Sequence, residues 1–264
     1  DTNRLRSEIQ NVANGCAPRI SIRIIPHGPV IEVAVPEGED KPYRCSEGFF
    51  LRLGPNSQQL TRDEILKIAI RGGKVRFDEL FVEDCDIEKE LDPDAIQLFR
   101  RQRNLPNSTR TADILESIGL IQRQKGKALV TRAALLFFGR EPQRRFPEAF
   151  VTCARYADAT RAKVLDRSDT ISHLLRQFDE ATAFLKRNLR TGYRIENLGP
   201  REDVPEIPGP VLREALLNAL THRDYFTDTE HIYIHVHPGR VEITNPGGLP
   251  PGLTVADLGT RAVP

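Results

Sequence analysis

The chain has 264 residues, with 38 Lys and Arg against 37 Asp and Glu, a formal net charge of +1 and 39% hydrophobic residues. That is room for roughly two domains, and the balanced charge excludes bulk attraction to nucleic acid or an acidic membrane, so any such contact must come from a local patch. No apolar run approaches the ~20 residues of a bilayer span, and the polar N-terminus has no signal-peptide pattern. Four scattered cysteines, Cys16, Cys45, Cys85 and Cys153, form no CxxC pair. They argue against a zinc ribbon or disulfide framework and for a reducing, cytoplasmic setting. Methionine is absent, as expected either of an excerpt of a longer chain or of a sequence from which modified methionines have dropped out, so spacing inside motifs carries more weight than long-range counts.

Residues 20–25 and 30–35 are β-rich runs separated by a turn at His27-Gly28-Pro29, and a third strand spans 48–53. Gly54-Pro55-Asn56-Ser57 should break that sheet. Thr61-Arg62-Asp63-Glu64 opens a helix, with Thr61 as cap and Glu64 at the position a capping box needs. Residues 1–75 thus read as a small α+β unit. Residues 76–145 are mainly helical. Asp92-Pro93 starts one helix, with Asp at the N-cap and Pro in the first turn, and Ala95, Ile96 and Phe99 follow at helical spacing. A second helix covers 111–118 and ends at Gly119. A hairpin over 120–130 turns at Lys125-Gly126, and 131–138 is an apolar helix. Helix, helix, hairpin is the element pattern of a winged-helix module, and of many other domains. The acidic run from Asp84 to Asp94 lacks the glycine and terminal glutamate of a calcium loop, and reads as an exposed linker favouring helix N-termini.

In residues 146–264, 150–156 is a strand and 169–189 a long amphipathic helix with Ile171, Leu174, Leu175, Phe178, Ala181 and Leu185 on one face. A Pro/Gly-rich connection spans 194–210, and 211–221 is a second helix. Strands 231–237 and 240–244 form a hairpin through Pro238-Gly239.

The chemistry concentrates in the second of these helices. Glu214, Asn218 and His222 recur at i, i+4 and i+8, which puts a carboxylate, an amide and an imidazole on one face, while Ala215, Leu216, Ala219 and Leu220 can pack on a sheet. The amide oxygen is a hard ligand suited to Mg²⁺, the carboxylate can orient or deprotonate a water, and the imidazole can meet a phosphate oxygen. The same stripe also suits the polar face of an ordinary surface helix. Further on, Asn245-Pro246-Gly247-Gly248-Leu249-Pro250 follows a strand directly, and paired glycines allow close approach of backbone to a ligand.

Arg213-Glu214-Ala215-Leu216-Leu217-Asn218-Ala219, His222-Arg223-Asp224-Tyr225, Arg240-Val241-Glu242-Ile243 and the Asn245–Pro250 block together resemble the histidine-kinase-like ATPase domain of the bacterial Schlafen/AlbA-domain transcriptional regulators, also labelled RecG-like. Lys41-Pro42-Tyr43, the 48–54 segment and Leu60-Thr61-Arg62-Asp63-Glu64-Ile65 resemble the second half of that family's AlbA-type domain. Leu129-Val130-Thr131, the 134–139 segment and Pro142 resemble its middle region. The resemblance implies an α+β fold: a partial AlbA-type domain in 1–75, a helical connection in 76–145 whose element order is the winged-helix-like one noted above, and the front of a GHKL (Bergerat) α/β sandwich in 146–264. It implies ATP and Mg²⁺ as ligands. Glu214 would be the catalytic base, Asn218 the Mg²⁺ ligand and His222 the phosphate-side group, with Asn245, Gly247 and Gly248 at the adenine end. It also implies an ATP-binding, DNA-linked regulator that switches by nucleotide occupancy, without a membrane and with scope for self-association.

Two departures matter. Asn245 stands where GHKL sites have an aspartate, and an amide both accepts and donates, which weakens charge assistance to an adenine amino group. The glycine-rich lid would lie beyond Pro264, and the half of the AlbA-type domain with a Schlafen nuclease's acidic positions would precede Asp1. Two other classes stay open: a Schlafen-like RNase or nuclease regulated by the ATPase part, and a non-catalytic scaffold with a decayed nucleotide site.

Other constellations are weaker. His231, His235 and His237 alternate and share one strand face. With no carboxylate or cysteine at ligand spacing they read as a solvated outer face rather than a metal site. Arg100-Arg101-Gln102-Arg103, Arg140, Arg144 and Arg145 are local basic clusters that could touch phosphate backbone, but charge runs usually lie in water, and no aromatics interleave for base stacking.

Overall fold

The computed structural model describes residues 2–38, 40–124, 127–194, 202–249 and 254–257. They fall into two compact units, one built from residues up to Arg76 with 254–257, the other from Phe77–Leu249. The fold is mixed α+β, and no helix among the described residues is long and apolar enough to cross a membrane.

The first unit opens with α1 (Thr2–Asn14), a helix the sequence reading did not anticipate. Strands β1 (Arg23–His27) and β2 (Val30–Ala34) pair antiparallel through the Gly28-Pro29 turn, so β1 starts three residues later than expected. Strands β3 (Arg44–Cys45), β4 (Gly48–Leu53) and β5 (Asn56–Gln59) form a three-stranded antiparallel sheet in that order. The predicted break after Leu53 is instead a two-residue hairpin turn. Leu53 pairs with Asn56, and Gly54 takes the positive φ of 60° that such a turn demands. Helix α2 (Arg62–Arg71) begins at the predicted capping box, with Thr61 N–H donating to Glu64 Oε2 at 2.9 Å and Glu64 N–H to Thr61 Oγ1 at 3.4 Å. Ala13 is the one buried apolar residue among those described in this unit, while Val30, Val35 and Leu53 are more than half exposed.

The second unit starts with β6 (Phe81–Val82), α3 (Ile87–Glu90), α4 (Pro93–Gln102), α5 (Thr111–Ser117), β7 (Ile121–Gln124), β8 (Lys127–Thr131) and α6 (Arg132–Phe138). The acidic run supplies caps: Asp86 accepts from the Glu88 and Lys89 N–H groups, and Asp92 from Asp94 N–H. The sheet order is β6-β8-β7. The hairpin tip at Lys125-Gly126 lies outside the described residues. Leu91, Ile96, Leu115, Val130, Leu135 and Phe138 pack into one core cluster.

Then follow β9 (Val151–Tyr156), β10 (Val164–Thr170), α7 (Leu174–Asn188), β11 (Thr191–Arg194), β12 (Glu202–Pro205), α8 (Gly209–Thr221), β13 (Ile232–His237) and β14 (Arg240–Thr244). The helix expected from 169 begins at Leu174. Asp169 and Thr170, which resemble cap residues, belong instead to β10, opposite Thr152 and Val151, and His173 caps the helix through Nδ1, which accepts from Arg176 N–H at 3.3 Å. Ile171 accordingly lies 65% exposed and not on the apolar face. Within the 194–210 connection, β12 folds back on β11, and 195–201 lies outside the described residues.

The sheet order is β10-β9-β13-β14, with the central β9–β13 pair parallel and both outer pairs antiparallel. Helices α7 and α8 cover one face. Val151, Cys153, Ile232, Ile234 and Val236 meet Phe184, Leu185, Leu216, Ala219 and Leu220 there, each large side chain contributing about 1.5–3 kcal/mol by burial. Strand alternation sends Thr152, Tyr156, His235 and His237 to the other face.

Candidate functional site

Helix α8 buries Leu216, Ala219 and Leu220, and the 3.6-residue period leaves Glu214, Asn218 and His222 along its exposed side. His222 is the C-cap, its N–H returning to Asn218 O at 2.9 Å. Two cavities flank the helix, one of 490 Å³ reaching Leu212 and Leu216 and one of 430 Å³ reaching Leu217 and Leu220. The stripe lines neither and stands open to solvent.

The glycine block is docked at the end of this helix. Asp224 N–H donates to Pro246 O at 2.9 Å. Gly247 has φ +118°, and a Cβ there would come within 3.1 Å of Asp224 Cβ. Both constraints call for glycine, and the close approach is to protein backbone and side chain. Gly248 has nothing within 4 Å of a built Cβ. Asn245 is half-buried just past β14. The structure therefore brings the helix-end block and the Asn245–Gly248 block together, two features far apart in sequence.

Much of the His222–Tyr225 block is structural. Arg223 is 5% exposed; its Nη2 donates to Glu148 O at 3.0 Å, Thr227 O at 3.1 Å and Glu230 O at 2.8 Å, and its guanidinium lies 4.7 Å from the Tyr225 ring centroid. Asp224 Oδ1 accepts from Phe226 N–H at 2.9 Å, closing a local turn. Tyr225 donates its hydroxyl to Leu220 O at 2.7 Å, and burial pushes its phenol above the usual range.

On the far face of the sheet the expectation of a solvated histidine strand fails. His235 and His237 are 9% and 5% exposed. They are covered by Tyr156, whose ring stacks on His237 at 5.1 Å, and by Asp158, whose carbonyl meets His237 Nδ1. A carboxylate does join them: Glu242 lies directly across the hairpin from His235. Guanidinium hydrogen bonds from Arg240 and Arg161 hold the Glu242 carboxyl down to about 2. Hairpin register was the available signal, since a two-residue Pro238-Gly239 loop fixes 237 opposite 240 and hence 235 opposite 242.

A second network escaped the sequence reading. His231 Nδ1 meets Glu148 Oε2 at 3.0 Å, His231 Nε2 meets Thr152 Oγ1 at 3.0 Å, and Thr152 Oγ1 donates to Asp169 Oδ1 at 2.7 Å. This resembles a hydroxyl–imidazole–carboxylate triad in outline, but Thr152 is 4% exposed and its proton is committed to Asp169, so the chain ties strands together and offers no nucleophile.

The basic clusters are largely engaged. Arg100 is buried and donates to Pro106 O at 2.9 Å and Thr109 O at 2.5 Å, holding the loop before α5. Arg145 grips Glu90 with both Nε and Nη2, and Arg144 pairs with Glu141. The polar side of α5 is acidic, with Asp113 and Glu116 tied to Arg123.

Residues 70–152 match a domain of unknown function, DUF8451. No curated protein matches the sequence. Among solved structures the chain is similar to the DIP2311 protein from Corynebacterium diphtheriae, with 20% identity and a TM-score of 0.57 over 98% of this chain and 50% of that one. The chain thus spans half the length of that protein, and what the two share is the fold.

Proposed function

We propose that the second unit binds a magnesium-bound nucleotide along the exposed stripe of α8, and that occupancy of this surface serves as a switch in a nucleic-acid-linked regulatory protein. The observation that carries the reading is the docking of the glycine loop on the helix end, through the Asp224–Pro246 hydrogen bond and the seating of Gly247 against Asp224. It supports a single surface made of the acid, the amide, the imidazole and the loop backbone.

The residues suit that ligand chemically. The Asn218 amide oxygen is a hard donor appropriate to Mg²⁺, which when bound would neutralise phosphate charge. Glu214, one turn earlier on the same exposed side, can orient a water or take its proton. A His222 ring N–H can donate to a phosphate oxygen, and Asn245 can both accept from and donate to a base. Space around Gly248 leaves its backbone open to a ligand. The nucleic-acid link rests on the resemblance to Schlafen/AlbA-domain regulators; Arg100, Arg144 and Arg145 are occupied elsewhere and do not support it.

Calorimetry with ATP in the presence and absence of Mg²⁺ tests the site on the full chain. Wild type should bind, Asn218→Ala should lose the Mg²⁺-dependent part, and Glu214→Ala should keep binding while losing hydrolysis. Equal Mg²⁺-dependent affinity in wild type and Asn218→Ala, or no binding by wild type, refutes the reading.

A further inference from the structure

The sheet face turned away from α7 and α8 holds a group that the nucleotide reading does not use. One nitrogen of His235, one of His237 and a carboxylate oxygen of Glu242 all lie within 4.8 Å of one another, the one such group of ligand residues among those described. The His237 side chain is fully covered. Buried polar atoms normally form hydrogen bonds, yet neither His235 Nδ1 nor His237 Nε2 makes one.

The tautomer of His237 sharpens the point. Its Nδ1 lies 3.4 Å from the backbone oxygen of Asp158, a group that can only accept. The ring proton therefore belongs on Nδ1, and Nε2 carries a lone pair. That lone pair is 3.4 Å from Glu242 Oε2. His237 is covered while Glu242 keeps 30% of its side chain exposed, and a lone pair this close to a carboxylate oxygen is a place where a bound cation would be stabilised. A carbonyl that holds one ring nitrogen so that the other points at an ion is the usual support of a ligating histidine.

We propose that His235, His237 and Glu242 form a binding site for a divalent transition metal of the zinc type. Imidazole and carboxylate bind Zn²⁺ at ~2.0–2.2 Å, so ligands of one ion sit no more than ~4 Å apart, and the group closes onto an ion by side-chain shifts of roughly an ångström. Three protein ligands leave a coordination position free for water or a substrate, the pattern of catalytic rather than structural zinc. Arg161 donates to Glu242 Oε2 at 2.5 Å and Arg240 to Oε1 at 2.6 Å. Each carboxylate oxygen has two lone pairs, so these bonds orient the ligand and leave it able to coordinate. Two imidazoles beside one carboxylate favour a metal held through nitrogen over the hard cations Mg²⁺ and Ca²⁺. Arg161 itself sits at φ +62°, uncommon for a non-glycine residue, in a segment that supplies Asp158 to the same cluster. Because this face is opposite α8, the site stands or falls independently of nucleotide binding.

The test uses the full chain, free of any histidine tag and stripped with chelator. Zn²⁺ titrated against a chromophoric chelator should bind at one equivalent, and Co²⁺ should develop the visible absorption of a low-coordinate centre. His231→Ala removes a neighbouring histidine whose two nitrogens are already bonded, and should bind metal like wild type. His235→Ala and His237→Ala should each lose more affinity than the ~10–100-fold that loss of an outer-shell partner costs, with circular dichroism unchanged. Should those variants fail to fold, Glu242→Gln serves in their place, with a weakened Zn²⁺ affinity and an altered Co²⁺ spectrum expected. No Zn²⁺ uptake by wild type overturns the proposal. Undiminished affinity in the His235→Ala/His237→Ala double variant, or an unaltered Glu242→Gln, overturns it as well.

Discussion

Replacing Arg223 by alanine should be among the most damaging single changes in the second unit. The guanidinium is buried and serves the carbonyls of Glu148, Thr227 and Glu230 through one nitrogen, and that of Asp224 through another at 3.3 Å. Hydrogen bonds to a charged donor are worth ~1.5–3 kcal/mol each, but a simple sum overshoots. Nη2 has two protons for three acceptors, and Nε is buried without a partner, so part of the desolvation cost is never recovered. About 3–5 kcal/mol is the expected loss, the equivalent of one or two such bonds together with the cost of carbonyls left unsatisfied, from a total stability of the order of 5–15 kcal/mol. Arg223→Lys keeps the charge but not the planar fork, and should recover only a part. Urea unfolding followed by far-ultraviolet circular dichroism gives the global figure. Hydrogen exchange across residues 222–232 gives the local one, with protection falling first there. An Arg223→Ala variant within ~0.5 kcal/mol of wild type, as for ordinary surface changes, would refute the assignment of Arg223 as the tie between this loop and the strand β9 lead-in.

Gly247→Ala combines positive φ with a 3.1 Å contact to Asp224. It should cost about 1–3 kcal/mol and loosen the Asn245–Gly248 loop, seen as a lower melting temperature together with weaker nucleotide binding; an unchanged melting temperature contradicts the geometry. Burial, opposed by the nearby Asp92 carboxylate, lowers the affinity of His173 for its proton. The folded protein thus prefers neutral His173, and the unfolded chain binds more protons near pH 6.5 and just below, so stability rises with pH through that window. Below it, protonation also removes the Nδ1 acceptor that caps α7. His173→Asn should keep a cap and flatten that part of the pH–stability curve, and an unaltered slope argues against the assignment.

Local signals were legible and non-local ones were not. Thr61 and Glu64 announce the start of α2 because both capping partners sit within one turn, and Asp92-Pro93 does the same for α4. The true start of α7 was hidden because β10 reads Val-Leu-Asp-Arg-Ser-Asp-Thr, a polar run whose strand character comes from pairing with β9. Gly54-Pro55 looked like a terminator because the strand beyond it, Asn-Ser-Gln-Gln, has no apolar residue. In the candidate site, helical periodicity alone gives the Glu214–Asn218–His222 stripe. The seating of Gly247 on Asp224 depends on how β14 returns beside α8, which no local pattern encodes. His235 and His237 alternate with apolar residues like any half-solvated strand, and their burial is imposed by Tyr156 and Asp158 from a distant segment.

The parallel contact between β9 and β13 has a consequence for how the chain must be handled. Val151 to Ala154 gain one of their two flanking neighbours only from Ile232 to His235, so any shortening that ends before β13 strips that side bare. The exposed row would read Val-Thr-Cys-Ala, uncharged until Arg155, the kind of open strand border on which other chains add. Fragments ending within α7 or α8 should therefore precipitate or self-associate, whereas a cut placed after β14 keeps this border sealed.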